Sequence, residues 1–168
     1  MRIGVVSDTH LPRFGRTLPP PLVAALREAD VHLILHLGDW TDALAIPLLE
    51  AVAPVDGVAG NNDGADLVAR LGRRKIVELD GARMGLTHGD LGIGPSTPER
   101  AVRTFEADDV SAVLFGHSHI PLLERLPGGR VVLNPGSPTD KRRQRRYSWA
   151  LLEIADGAIE AELRFFDR

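Results

Sequence analysis

The stretches that decide the fold are RIGVVSDTH at residues 2–10, VHLILHLGD at 31–39 and VDGVAGNND at 55–63. Each starts as a short apolar or β-branched run and ends in residues that turn the chain. An apolar run of that length, bounded by a turn residue, reads as a buried parallel strand. Between the first two, Leu22, Val23, Ala25, Leu26 and Ala29 recur at helical spacing behind Pro19–Pro21. Between the second and third, Ala43–Val52 reads as a helix capped by Thr41 or Asp42. The expectation is a βαβαβ unit whose strands end at Asp8, Asp39 and Asn61.

Working outward, a short helix is expected over Ala65–Leu71, then strands Arg74–Leu79 and Arg83–Thr87 across Asp80-Gly81, a strong hairpin signal. Glu99–Glu106 reads as a helix and Ala112–Phe115 as a strand. Leu122–Leu126 and Arg130–Leu133 form a hairpin around Pro127-Gly128-Gly129, and Tyr147–Ile154 pairs with Ala158–Phe166 across Asp156-Gly157. One sheet built from βαβ units and another completed by hairpins need helices on their outer faces. The expected fold is α/β, a four-layer α/β/β/α sandwich of two mixed sheets flanked by helices, in one domain over residues 1–168.

The composition agrees with a packed core: 168 residues, 43% hydrophobic and 26% charged. With no cysteine, disulfides and thiolate chemistry are excluded, and metal binding falls to His, Asp and Asn. No apolar run spans a bilayer, and the first residues lack the basic-then-apolar signal pattern, so the cytoplasm is the expected location. A net charge of −3 gives no general electrostatic reason to bind nucleic acid or membrane.

Five elements carry the chemistry: Asp8-Thr9-His10, Gly38-Asp39, Gly60-Asn61-Asn62-Asp63, Thr87-His88-Gly89 and Gly116-His117-Ser118-His119. Alone, each is an ordinary polar turn, since Gly, Asn and Asp are common turn residues. Together they place ligands of one chemical type after successive strands, where functional loops gather in open α/β sheets. Carboxylate, amide and neutral imidazole donors suit divalent Mn, Fe, Co, Ni or Zn.

On these elements, in this order, the chain resembles the calcineurin-like metallophosphoesterases, in particular the small single-domain branch typified by the YfcE phosphodiesterases. Asn134-Pro135-Gly136-Ser137 before the closing hairpin strengthens the likeness. The resemblance implies that Asp8, His10, Asp39 and His119 hold one ion and Asp39, Asn61, His88 and His117 the other, with Asp39 shared. Manganese is the first expectation for both. Two cations about 3.5–4 Å apart lower the pKa of a bridging water and neutralise phosphoryl oxygens during in-line attack. The implied activity is phosphodiester hydrolysis by a metal-bridging hydroxide, with Asp39, Asn61, Asn62 and His88 as catalytic residues.

Many members of the wider family have histidine where this chain has Asn62. An amide donates a hydrogen bond but delivers no proton near pH 7, so general-acid help, typically about a hundred to ten thousand fold, is missing there. Diesters with capable leaving groups should be favoured and monoesters turned over weakly. Asn62 reads either as a substrate contact or as a turn residue, and Asp63 as an orienting group.

The run Lys141-Arg142-Arg143-Gln144-Arg145-Arg146 reads either as a solvated loop or as a flap in which Arg142 and Arg143 meet the substrate phosphate. His36 reads as support beneath the site, His32 as structural, and Trp40 as pocket wall or packing. The expected partner is a small phosphodiester. Nucleic acid rests on the single basic run, no membrane is implied, and homo-oligomerisation stays open. A nuclease or cyclic-nucleotide phosphodiesterase is the alternative enzyme. A non-catalytic scaffold is the other reading, because a retromer subunit shares this small fold.

Overall fold

The computed structural model describes residues 1–167 and contains ten strands and four helices. Strands β1 (Arg2–Val6), β2 (Leu33–Leu37) and β3 (Val55–Val58) run parallel, alternating with helices α1 (Pro20–Glu28) and α2 (Ala45–Glu50). After α3 (Ala65–Leu71), β4 (Arg74–Leu79) and β5 (Ala82–Thr87) form the expected hairpin. Helix α4 (Thr97–Thr104) leads to β6 (Ala112–Leu114), β7 (Leu122–Arg125) and β8 (Val131–Asn134), and the chain closes with β9 (Tyr147–Ala155) and β10 (Ala158–Phe166).

Two mixed sheets result, ordered β10-β9-β1-β2-β3 and β4-β5-β6-β8-β7. In the second, β5, β6 and β8 are parallel, while β4 and β7 are antiparallel edges. Ile3, Val5, Leu35, Leu37 and Val58 from one sheet pack against Met84, Leu86, Leu114 and Leu133 from the other. Each such side chain contributes about 1.5–3 kcal/mol when taken from water. A separate cluster joins Leu22, Leu26, Leu49 and Leu67 of the first three helices to Val6, Ile34 and Trp149. Ala101 and Phe105 cover Val113 and Val132 on the far face. The layers are therefore α/β/β/α, as the pattern predicts.

Two helix boundaries differ from expectation for local reasons. Helix α4 starts at Thr97 because Ser96 and Glu99 form a reciprocal capping box. Helix α2 starts at Ala45, later than Ala43, because Asp42 accepts the Leu44 N–H in a turn and Thr41 is held in a left-handed conformation. Both residues serve the preceding loop instead of capping the helix. The parallel strands β1, β2 and β3, and likewise β5, β6 and β8, bring their carboxyl ends to one edge of each sheet. The two edges meet where the His117 N–H donates to Asp8 Oδ2 at 3.0 Å and His88 Nδ1 reaches Leu37 O at 2.8 Å.

Candidate metal centre

The loops after these strands turn abruptly. Asp8, His10, Asp39, His117 and His119 all have positive φ, between 45° and 70°. Non-glycine residues enter this region at a steric cost, so the surroundings must hold them there. The Asp8 N–H donates to Gly38 O and the His10 N–H to Asp39 O, each at 3.0 Å, fastening the first loop to the second. Close approach also demands glycine: a Cβ on Gly60 would overlap Asp39 Oδ1, and one on Gly116 would overlap Ser7 Oγ.

Asp8, Asp39, His10, His88 and His119 are buried side by side. Asp8 Oδ1 lies 3.3 Å from His119 Nε2 and 3.9 Å from both His10 Nε2 and His88 Nε2. Asp39 Oδ2 lies 3.3 Å from His88 Nε2 and 3.6 Å from His10 Nε2. His117 stands at the rim, its Nδ1 3.3 Å from His88 Nε2. Donor atoms of Asp8, His10 and His119, and of Asp8, Asp39 and His88, fall within 4.8 Å of one another, so each group could hold an ion. Asp8 is common to both groups, and Asp39 Oδ2 lies between His88 and His10.

The tautomers sharpen this geometry. His88 Nδ1 faces Leu37 O at 2.8 Å and His119 Nδ1 faces Asp140 O at 2.6 Å. A carbonyl only accepts, so both rings carry their proton on Nδ1 and, when neutral, turn an Nε2 lone pair inward. Asp8 Oδ1 is buried among these lone pairs with no hydrogen-bond partner. With both rings neutral these acceptors repel one another, and either protons on the raised His88 and His119 or a divalent cation between the groups removes the conflict. The residues present fit the metal.

Charge tells the same story. Burial pushes Asp39 up, but the close approach and charge of His88, with the Asn62 donors, hold its carboxyl well below the usual range. Burial likewise opposes ionisation of Asp8, which His119 and His88 outweigh, leaving it lowered. His88, despite burial, is pushed up to about 9 by Asp39 and Asp8, and His119 is raised chiefly by Asp8 against its burial. His10 and His117 go down because burial exceeds the attraction of the carboxylates. Two carboxylates shared among four imidazoles thus create a negative potential that favours cations.

The neighbouring residues act as fasteners. Asp63 accepts N–H bonds from Gly60 at 2.7 Å, Thr41 at 2.7 Å and Asp39 at 3.0 Å, joining the second and third loops. It orients those loops and not a ligand. Asn62 donates from Nδ2 to Asp39 Oδ2 at 2.6 Å and from its N–H to Oδ1 at 3.0 Å, so its amide is committed to a carboxylate. Asn61 is exposed, and among the described residues its side chain makes no hydrogen bond. His36 is fully buried beneath the loops: it accepts the Gly38 N–H at Nδ1 and meets Thr9 Oγ1 at 3.0 Å through Nε2. Burial depresses its pKa to about 3. Trp40 packs, stacked 3.6 Å from His36 and donating to Val58 O. His32 is exposed and accepts the Arg2 N–H.

Asn134 and Ser137 brace the third side. Asn134 donates to Gly116 O at 2.8 Å and Ser137 to Asp8 O at 2.8 Å. Within the basic run, Arg142 lies beside Asp140, its backbone N–H donating to Oδ1 while its Nε lies 3.8 Å from Oδ2. Its charge is felt at His119. Arg146 points away, to Phe165 O and Asp167, and Arg143 is exposed. The structure thus adds Thr41 and Asp140 to the site and gives Asp63 its partners. Asp140 acts mainly through a main-chain carbonyl, for which no sequence signal exists.

A family model described as the calcineurin-like phosphoesterase superfamily domain matches residues 1–157. The chain belongs to that superfamily. A "Probable metallophosphoesterase" of Methanothermobacter thermautotrophicus is 37% identical over 142 residues, covering 84% of this chain and 80% of the relative. "Probable metallophosphoesterase YsnB" of Bacillus subtilis is 32% identical over 173 residues, covering 100% and 92%. Among solved structures, Vps29 from Entamoeba histolytica complexed with zinc superposes with TM-score 0.79 at 24% identity, covering 99% and 100%. The solved structure of an archaeal phosphodiesterase gives TM-score 0.72 at 22% identity, covering 98% and 100%. These two likenesses show the fold. Membership of this calcineurin-like superfamily supports phosphoester hydrolysis with divalent metal ions, and the Asp and His groups above are those that could bind them.

Proposed function

We propose that this calcineurin-like protein is a phosphodiesterase that works with two divalent ions, manganese first among them. The observation that carries the reading is Asp8 Oδ1, buried without a hydrogen-bond partner among inward-facing Nε2 atoms, with Asp39 Oδ2 beside it. Asp8, His10 and His119 would hold one ion. His88, with His117 and Asn61 at the open side, would hold the other, and Asp39 would serve both. Bound cations supply the positive charge that activates water and offsets charge on phosphoryl oxygens.

The chain's own residues decide the rest. His88 and His119 are oriented by carbonyls, so their inward nitrogens need not reorganise when the site fills. Asn62 supports the preference for diesters: it carries no transferable proton, and its amide is already bonded to Asp39. A leaving group that departs without protonation therefore loses least. Arg142, held by Asp140 at the edge of the site, would meet a phosphate oxygen, with Arg143 further out.

The test combines metal analysis of the purified protein with a panel of aryl diesters, cyclic nucleotides, oligonucleotides and monoesters in Mn2+. Aryl diesters should exceed alkyl monoesters by at least about tenfold, given the usual size of general-acid help. Comparable turnover of the two would remove the diester preference. Preferred turnover of cyclic nucleotides or oligonucleotides would move the assignment to those substrates. Inactivity across the panel with metal bound would favour a scaffold.

A further inference from the structure

Three inward-facing imidazoles are held from behind at Nδ1, but not by the same kind of group. His88 and His119 rest on the carbonyls of Leu37 and Asp140, which no substitution at those positions removes. His10 instead meets a side chain: its Nδ1 lies 3.2 Å from the Thr41 hydroxyl. Thr41 has φ +72°, and among the described residues it is the one β-branched side chain at positive φ. For a β-branched residue that conformation is a true outlier, because its two γ substituents crowd the backbone. Nothing about the adjoining helix requires it, since α2 begins only at Ala45 and takes no cap bond from Thr41. What holds Thr41 is the bond from its N–H to Asp63 Oδ1 at 2.7 Å.

We infer that Thr41 is a positioning residue: Asp63 clamps it in a strained conformation so that its hydroxyl accepts the His10 Nδ1 proton and fixes Nε2 toward the metal. The inference rests on the metal-dependent reading above and adds one residue to it. Strain that persists at a functional loop implies that the surroundings over-determine it. Here both determinants are visible, Asp63 on the backbone side and His10 on the hydroxyl side. An outer partner of a metal-binding histidine is typically worth about ten to a hundred fold in metal affinity.

The experiment measures Mn2+ affinity by calorimetry and the melting temperature of metal-free protein, for wild type, Thr41→Gly, Thr41→Val and Thr41→Ser. Thr41→Gly removes strain and hydroxyl together. It should raise the metal-free Tm by roughly 2–4 °C while weakening Mn2+ binding at least tenfold. Thr41→Val keeps the branched shape and loses the hydroxyl, so affinity should fall similarly with no gain in Tm. Thr41→Ser should bind within about threefold of wild type. A residue with a merely structural role would lower Tm in Thr41→Gly and leave affinity intact.

Two results overturn the inference alone: wild-type affinity in both Thr41→Gly and Thr41→Val, or a loss in Thr41→Ser as large as in Thr41→Val. Wild-type protein that binds no Mn2+ or other divalent ion overturns the metal-dependent reading itself, and this inference with it.

Discussion

The two carboxylates at the centre of the site are equally deep in the fold and differently provided for. Asp39 is surrounded by protein donors: Asn62 bonds both oxygens, and Asp63 secures the backbone on either side. Asp8 has one oxygen on the His117 N–H and the other, Oδ1, without a hydrogen-bond partner, 3.3 Å from His119 Nε2. The difference teaches which contacts the fold makes for itself and which it leaves to a cation. Asp39 is positioned before any ion arrives, whereas Asp8 Oδ1 is left open to one.

Replacing each carboxylate by its amide should break the comparison most sharply. Asp8→Asn and Asp39→Asn should both lower kcat/KM for an aryl diester by about a hundred- to a thousandfold, since a metal ion supplies several kcal/mol. Their metal-free stabilities should diverge. In Asp8→Asn the attraction to His88 and His119 is lost while the new amide can donate to His119 Nε2, so Tm should change little, whereas Asp39→Asn sets an amide donor against the Asn62 donors and lowers it. Melting both variants in chelator checks this, and equal shifts would dissolve the distinction.

Asp63→Ala comes next, because it strips acceptors from the N–H groups of Gly60, Thr41 and Asp39 together. Partly buried orphaned donors of this kind should cost about 2–4 kcal/mol, read by urea unfolding. Activity should fall as well, since Asp39 and Thr41 lose their hold.

A pH effect should follow from His36, which supports both loops. Its folded pKa, near 3, lies below the unfolded value of 6.5. The unfolded chain therefore binds the proton more readily, and stability present above about 6.5 declines as pH falls toward 3. From about pH 7 to 5 the loss should approach about 2 kcal/mol. His36→Asn, which keeps an acceptor for the Gly38 N–H, should flatten that part of the urea-derived profile.

The smallest effect is expected at the rim. Arg142→Ala should raise KM a few-fold, as an exposed charge-assisted contact would, while Arg146→Ala, whose guanidinium meets Phe165 and Asp167, should leave KM unchanged. Identical values for the two variants would end the flap reading.

Much of this molecule is legible in the chain because its signals are local. The apolar runs ending at Asp8, Asp39 and His88 mark strands, Asp80-Gly81 and Asp156-Gly157 mark hairpins, and the mixed sheets follow. The His and Asp residues that converge are also visible, since carboxylates and imidazoles after strands have recognisable chemistry. Thr41 reads locally as a helix-cap candidate, because a threonine before a helix ordinarily caps it, and only a long-range bond to Asp63 diverts it. Asn62 reads as a missing proton donor and not as the support of a carboxylate, since nothing local shows that Asp39 lies within reach.

Sequence alone determined which donor types this protein can offer a metal and at which strand ends they stand, because residue identity and strand periodicity are properties of short segments. Only the tertiary structure decided which nitrogen of each imidazole faces inward, and which carboxylate oxygen is left without a partner. Those depend on carbonyls, hydroxyls and N–H groups brought from distant positions by the meeting of two sheet edges, and a buried acceptor's state is set by whichever groups surround it.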